Sequence, residues 1–167
     1  MDPQVLKDAK NGDKTAFGRI IEDTYKDAYL FALSITGSTH DARDICQEAF
    51  IKAYRNICRL NDDMKFKSWL MKIVLNTSRD FFRASKAKTF EPEDCSSVFA
   101  EERIAERNDL FKAISVLKRE YRQVLILRYI NDMKIEDMAK ILGIPGNTVK
   151  SRIRYALERA RTVLEGK

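Results

Sequence analysis

Chain breakers are scarce in this sequence: 167 residues hold six glycines and three prolines. So few turn formers leave little room for the many reversals of a β-sandwich or barrel. Strict apolar–polar alternation over a strand length is also missing, whereas apolar residues recur at helical spacing almost throughout. These features predict an all-α protein. The three cysteines, Cys46, Cys58 and Cys95, form no C-x-x-C pair. An odd count with no framework excludes a disulfide scaffold and implies reduced thiols and a cytoplasmic location. Cys46 and Cys58 fall in a helical stretch, where a small buried hydrophobe is the expected role. No run approaches the roughly 20 apolar residues of a membrane span, and "MDPQVLKDAKNGDK" lacks a signal-peptide core. The lone histidine, His40, reads as a surface residue near a helix start. No phosphate-binding glycine loop, zinc-protease helix or Cys/His ligand cluster is present. The expectation is therefore a protein with no catalytic residues, no metal ligands and no cofactor, and not an enzyme.

What is abundant is positive charge: the formal net charge is +6. Its distribution decides what it means. Helical periodicity predicts a short helix over Pro3–Lys10, then a turn at "NGD" with Asp13 as N-cap of the next helix. That helix carries Phe17, Ile20, Ile21, Tyr25, Tyr29 and Leu33 on one side and stops near Gly37. Thr39 is the expected cap of a third helix reaching about Ile57, with Ile45, Ala49, Tyr54 and Ile57 inward. A fourth covers Phe66–Ala84. The polar "SKAKTFEPEDCSS" has no helical period and reads as a linker. Periodicity returns with Ile104 and Leu110 and persists through Val149, Ile153, Ala156, Leu157, Ala160 and Leu164. The division expected is residues 1–85, a linker over 86–103, and a smaller helical unit over 104–167.

In the smaller unit, "IEDMAKILGIPGNTVKSRI" meets the demands of a helix-turn-helix. Ala139 is the small residue that lets two helices approach, Gly143 sits at the turn, and Met138, Leu142, Ile144, Val149 and Ile153 can share a core. Pro145 and Gly146 suit entry to the second helix, which Gly146 or Asn147 could cap. Such a second helix enters the major groove by its N-terminal end. Thr148, Lys150, Ser151 and Arg154 would then lie near base edges and phosphates. Arg152, Arg159 and Arg161 are better placed for the backbone, where contacts add salt-dependent affinity. The plainer reading, a packed helical hairpin with a solvated basic face, stays open on the turn alone.

Two stretches stand out in the first unit. In "DARDICQEAFIKAYRNI", Asp41, Asp44 and Glu48 share one helical face at spacings of three and four, with Gln47 beside them. They make either an ordinary solvated face or a docking face for a basic partner helix. In "FKSWLMKIVLNTSRDFFR", Phe66, Trp69, Phe81 and Phe82 alternate with Lys67, Lys72, Arg79 and Arg83. Rings that stack bases among cations that follow the backbone suit a nucleic-acid single strand. Equally, the aromatics can be core and the cations a snorkelling rim.

Taken in order, these three stretches resemble bacterial sigma factors of the extracytoplasmic function class, and the resemblance spans nearly the whole chain. It implies a region 2 bundle that binds core RNA polymerase and melts the −10 promoter element. A linker threads toward the polymerase active-site and RNA-exit channels, and a region 4 helix-turn-helix domain reads the −35 element. By this resemblance Asp41, Asp44, Gln47, Glu48 and Phe50 dock on the β′ clamp helices, and the β flap is a further polymerase partner. Asn76 lies at a pocket for a flipped −10 base, with Phe66, Lys67, Ser68 and Trp69 forming and supporting the adjacent loop. Lys150, Ser151 and Arg154 read −35, with Thr148 near a phosphate. An anti-sigma factor, in some relatives membrane-anchored, is the implied regulator. The chain departs from the family pattern at Lys118, where proline is frequent, and at Asn147, where glycine usually precedes the Thr-Val pair. The rival expectation is a stand-alone helix-turn-helix regulator; a helical adaptor that binds no DNA is the third.

Overall fold

The structure is a computed structural model that describes residues 2–60, 66–84 and 113–165. The linker over 86–103, together with Cys95, Ile104 and Leu110, lies outside the described residues. Among the described residues the regular structure is helical.

Short-range chemistry sets the helix ends. Helix α1 (Pro3–Lys10) starts with proline at its first position, and the Asp2 carboxylate accepts from the Gln4 amide at 2.9 Å. Asp13 caps α2 (Lys14–Thr36) as expected: its Oδ1 accepts from Thr15 N at 2.8 Å and Ala16 N at 3.2 Å. Such a cap contributes about 1 kcal/mol. Gly37 ends α2 in the left-handed region at φ 67°, a conformation glycine adopts without strain. The cap of α3 (Thr39–Asn56) is Ser38 rather than Thr39: the Ser38 hydroxyl accepts from Asp41 N at 3.3 Å. A 3₁₀ turn over Ile57–Arg59 closes that helix. Helix α4 spans Phe66–Ala84.

The second unit contains α5 (Arg119–Leu125), a π-helical turn (Ile126–Ile130), α6 (Ile135–Leu142) and α7 (Gly146–Leu164). Lys118, the N-cap of α5, has φ −60°, the angle proline would impose. In the π turn, Asn131 N donates to Ile126 O, five residues back, at 2.9 Å. Arg128 Nη1 donates to Met133 O at 2.8 Å and ties down the turn into α6.

Helix α2 is the axis of the molecule. From Ala28 to Thr36 every residue is buried. A helix apolar on all sides needs partners on all sides: α1, α3 and α4 cover three flanks, and α5 with the π turn covers another. The one-sided face expected for α2 holds only near its start. Its buried hydroxyls are satisfied within the helix, Ser34 Oγ donating to Phe31 O at 2.6 Å and Thr36 Oγ1 to Ala32 O at 3.1 Å. One apolar core therefore runs from Leu6 through Phe31 and Leu70 to Leu127 and Val149.

Several residues expected inside are not. Tyr25 and Tyr54 are exposed, as are Leu157, Leu164 and Cys58. Ile45, Ala49 and Ile57 hold the α3 interface that Tyr54 was expected to share.

Candidate nucleic-acid and polymerase interfaces

The turn between α6 and α7 is built by two backbone bonds to one carbonyl. Gly143 N and Ile144 N both donate to Ala139 O, at 2.9 and 3.2 Å. Gly143 stands at φ 72°, so a β-carbon there would be strained. Met138, Val149 and Ala156 are fully buried and lock the crossing of the two helices. Helix α7 begins at Gly146 with Pro145 as its N-cap, and no side chain caps it. Neither Gly146 nor Asn147 is therefore the cap. A β-carbon on Gly146 would meet Ile135 Cγ2 at an ordinary 3.7 Å.

From that start, Lys150, Ser151 and Arg154 project into solvent, and Thr148 is half-buried. Ser151 Oγ donates to Thr148 O at 3.0 Å. The remaining cations are engaged. Arg152 pairs with Glu120 at 3.5 Å, Arg161 Nε with Glu165 at 2.7 Å, and the Arg159 guanidinium lies 5.9 Å from the Tyr155 ring centre. Tyr155 in turn packs on Tyr121 at 4.5 Å. The leading segment of α7 thus presents solvent-facing polar and basic groups, while the cations further along are held by neighbouring side chains.

On the first unit, α3 and α4 enclose a cavity of about 440 Å³ lined by Lys52, Asn56, Arg59, Trp69, Ile73, Asn76, Thr77 and Asp80. Asn76 is exposed at its edge. Phe66, 1% exposed, packs beneath Trp69 with ring centres 5.8 Å apart. Phe66 thus props the indole and does not itself face the cavity. Trp69 and Ser68 are half-buried. Lys52 crosses the cavity floor, 3.7 Å from Asp80 and 3.4 Å from Thr77 Oγ1.

The cations of α4 divide by partner. Lys67 pairs with Asp27 of α2 at 2.6 Å, which anchors the start of α4. Arg83 is exposed and lies 3.7 Å from Asp80. Lys72 turns the other way, toward the second unit: its Nζ donates to Ile141 O at 2.7 Å and Lys140 O at 3.1 Å, at the end of α6. Burial, and then the charge of Arg79, hold the Lys72 ammonium below its ordinary pKa. Arg79 and Phe82 line a cleft of about 650 Å³ between the units, opposite Leu142 and Arg152. Lys72, Arg79 and Arg152 therefore meet at one interface, although the motif spacing assigns them to separate DNA elements.

The acidic face of α3 is on the surface, with Asp44 and Glu48 side chains about half exposed and Asp41 at 29%. Gln47 is exposed, and His40 lies 3.4 Å from Asp44. Phe50 differs: it is 6% exposed and stacks on Tyr25 at 6.2 Å. It forms the floor of an apolar groove of about 930 Å³ whose walls include Phe17, Ile21, Tyr25, Ile51 and Tyr54. Ile51, which the sequence reading passed over, and Tyr54, which it placed inward, are 38% exposed each. Their signal was a second apolar stripe on α3, Phe50, Ile51 and Tyr54, in which Tyr54 lies four residues after Phe50 and three after Ile51. On the buried side of the same helix, Cys46 is fully buried, and burial pushes its thiol up to about 12.

The sigma-70 region 2 family model matches residues 20–88, and the sigma-70 region 4 model matches 107–159. The ECF RNA polymerase sigma factor SigW of Bacillus subtilis is 33% identical over 95% of this chain and 94% of its own length. SigV of the same organism is 32% identical over 93% and 95%. The sigma-E factor of Escherichia coli K12 is 29% identical over 94% and 91%. Among solved structures, CnrH in complex with the cytosolic domain of CnrY superposes with a TM-score of 0.71 at 23% identity, covering 99% of this chain and 98% of that one. RpoE of Bartonella quintana, in complex with the anti-sigma factor NepR, gives 0.67 at 22%, over 89% and 96%. The chain belongs to the extracytoplasmic function class of RNA polymerase sigma factors, the non-enzymatic initiation factors of the sigma-70 family. Among the described residues, no helix is long and apolar enough to cross a membrane.

Proposed function

We propose that this chain acts in the cytoplasm to direct core RNA polymerase to promoters with −10 and −35 elements. The first unit, 1–85, docks on the β′ clamp helices and opens the −10 element. The second, 104–167, grips −35 and meets the β flap. The observation that carries the reading is one chain presenting two surfaces of different chemistry. One is a small cavity edged by Asn76 and walled by Trp69, of a kind that takes an unstacked base. The other is a helix-turn-helix whose second helix leads with Lys150, Ser151 and Arg154, which suits duplex DNA.

Docking is served by the acidic residues Asp41, Asp44 and Glu48 beside the Phe50 groove. The acids steer a basic partner helix, and the groove supplies apolar contact that exposed ion pairs do not. Regulation by an anti-sigma factor, soluble or membrane-anchored, is what the class suggests, and the structural neighbour RpoE is solved with the anti-sigma factor NepR.

Run-off transcription with core polymerase tests the assignment. The expected result is initiation at defined start sites only when the chain is present. Tight duplex binding without polymerase, and no initiation on any genomic template, would point to a stand-alone regulator instead.

A further inference from the structure

The two units meet along a polar seam. Lys72 of α4 caps the end of α6, and buried Asn131 donates to Asp27 O of α2 at 3.3 Å. Arg122 of α5, 1% exposed, donates from Nε to Ser34 O of α2 at 3.4 Å and from Nη1 to Ser115 O at 3.2 Å. At Arg122 the seam gives onto the cleft of about 650 Å³. Small-molecule sites occupy about 300–1,000 Å³ and combine apolar walls with a few convergent polar groups. This cleft has both. Ile35, Leu75 and Leu142 are buried and make an apolar floor with half-buried Phe82.

The polar groups are nearly all of one sign. Arg79 of α4, Lys118 and Arg119 at the start of α5, and Arg152 of α7 line the cleft, with Arg122 as a fifth cation. Glu120 is the one acid among the lining residues, and it pairs with Arg152 at 3.5 Å. Like charges gathered around a low-dielectric cleft repel one another and focus a positive field there. That field reaches Lys72, whose pKa is lowered by burial and then by the charge of Arg79. A bound anion would relieve the repulsion. Guanidinium forks match phosphate oxygens in particular. Cations arriving from three helices call for several anionic oxygens close together, as in a chain of phosphates. The floor calls for a second part, a flat body with apolar faces that can lie against a ring such as Phe82. Nucleobases have such faces and stack on aromatic side chains whatever their identity. A duplex, unlike a single nucleotide, is too broad to reach Ile35 and Leu75 at the floor.

We propose that this cleft binds a nucleoside polyphosphate, with the phosphates on Arg79, Lys118, Arg119 and Arg152 and the base on the apolar floor beside Phe82. Binding there does not depend on the promoter reading above, since Lys118, Arg119 and Phe82 belong to neither the DNA surfaces nor the docking face.

Calorimetric titration of the full chain at about 0.15 M salt tests it. ATP should bind with one site per chain. Tripolyphosphate, which keeps the charge and lacks the base, should bind about tenfold more weakly, and adenosine should not bind measurably. Lys118→Glu combined with Arg119→Glu, both exposed positions, should weaken ATP on the order of thirtyfold. Lys14→Glu combined with Arg19→Glu makes the same change of net charge at exposed positions of α2 and should bind ATP as wild type does. Circular dichroism should show unchanged helicity in both. The comparison of ATP, tripolyphosphate and adenosine needs no variant, so a misfolded chain would not mask the answer. No ATP binding by wild type, equal loss in the two charge-reversed variants, or tripolyphosphate binding as tightly as ATP overturns the site. So does a single-stranded oligonucleotide that binds more tightly than ATP and is lost in the Lys118→Glu, Arg119→Glu chain, which would assign the cleft to nucleic acid.

Discussion

Lys72 Nζ of α4 lies 2.7 Å from the carbonyl oxygen of Ile141, so a cation of the first unit caps the last turn of a helix in the second. Cations stabilise helix C-termini by about 0.3–1 kcal/mol, and hydrogen bonds from charged donors contribute about 1.5–3 kcal/mol. Partial exposure puts Lys72 near the low end of that range. Lys72→Met should therefore lower the melting temperature by about 2–4 °C, the shift expected for roughly 1 kcal/mol in a chain of this size. The pH dependence has a definite sign. Folding lowers the Lys72 pKa, chiefly by burial and then by Arg79, so the folded state binds that proton more weakly than the unfolded state does. Stability attributable to this group rises with pH in the window just below the ordinary lysine value of 10.5. Across that window wild type should gain stability relative to Lys72→Met, so the two melting temperatures should diverge there and not below it. Identical melting temperatures at neutral pH would remove Lys72 from the seam.

Arg154 is exposed on the leading half of α7, without the ion pairs that hold Arg152 and Arg161. Arg154→Ala should cost about 1–3 kcal/mol of discrimination at one −35 base pair, a factor of about 5 to 150 in relative promoter use. Core polymerase affinity should stay within twofold. Arg159→Ala should instead weaken all promoters alike and reduce the salt slope by about one unit. Competition transcription from matched and substituted −35 elements separates the two outcomes. Equal loss of polymerase binding in Arg154→Ala would show a folding defect in place of lost readout.

Asn76 stands at the edge of the 440 Å³ cavity with Trp69 on its wall. An amide that hydrogen-bonds an extruded base offsets part of the unstacking cost. Asn76→Ala should slow promoter opening by tenfold or more and leave polymerase binding intact, since no docking residue touches it. On a template already mismatched at −10 the defect should shrink, because the unstacking is prepaid. Permanganate footprinting of both templates reads this directly. An equal defect on both would mean that Asn76 contributes no base contact.

The parts of this molecule written in local chemistry were legible in the sequence. Asp13, Gly37 and Gly143 sit at the ends they announce, and α4 has the bounds its period implied. Tyr54 was misplaced because an aromatic at helical spacing is equally at home in a core and in a groove wall; only α2 packing on the neighbouring face decides. Phe66 and Phe50 carry motif positions yet are buried, since spacing reports a face and not a depth. The seam was least legible of all. Arg122 and Asn131 meet α2 from 88 and 104 residues away, and no local pattern marks an arginine as buried. The one available signal was the run Ala28–Thr36, rich in apolar residues and free of charge on every side, which called for a partner beyond the first unit.

The groove floored by Phe50 gives the last prediction. Tyr54 is 38% exposed while its ring meets Phe17 edge-on at 5.0 Å. It is thus braced by its neighbour while more than a third of its surface is free, the condition in which an aromatic binds a partner at low entropic cost. Beside it, Asp44 is a solvated charge. The two should fail differently. Tyr54→Ala should weaken core polymerase binding by about 2 kcal/mol, roughly 30-fold, chiefly through faster dissociation. That loss should persist at high salt. Asp44→Ala should act mainly on the association rate, and its effect should fade as the Debye length falls from about 10 Å at 0.1 M salt to about 3 Å at 1 M. Surface plasmon resonance with immobilised core polymerase, at two salt concentrations, distinguishes them. If Tyr54→Ala binds like wild type while Asp44→Ala does not, the docking surface is the acidic face alone and the groove serves another purpose.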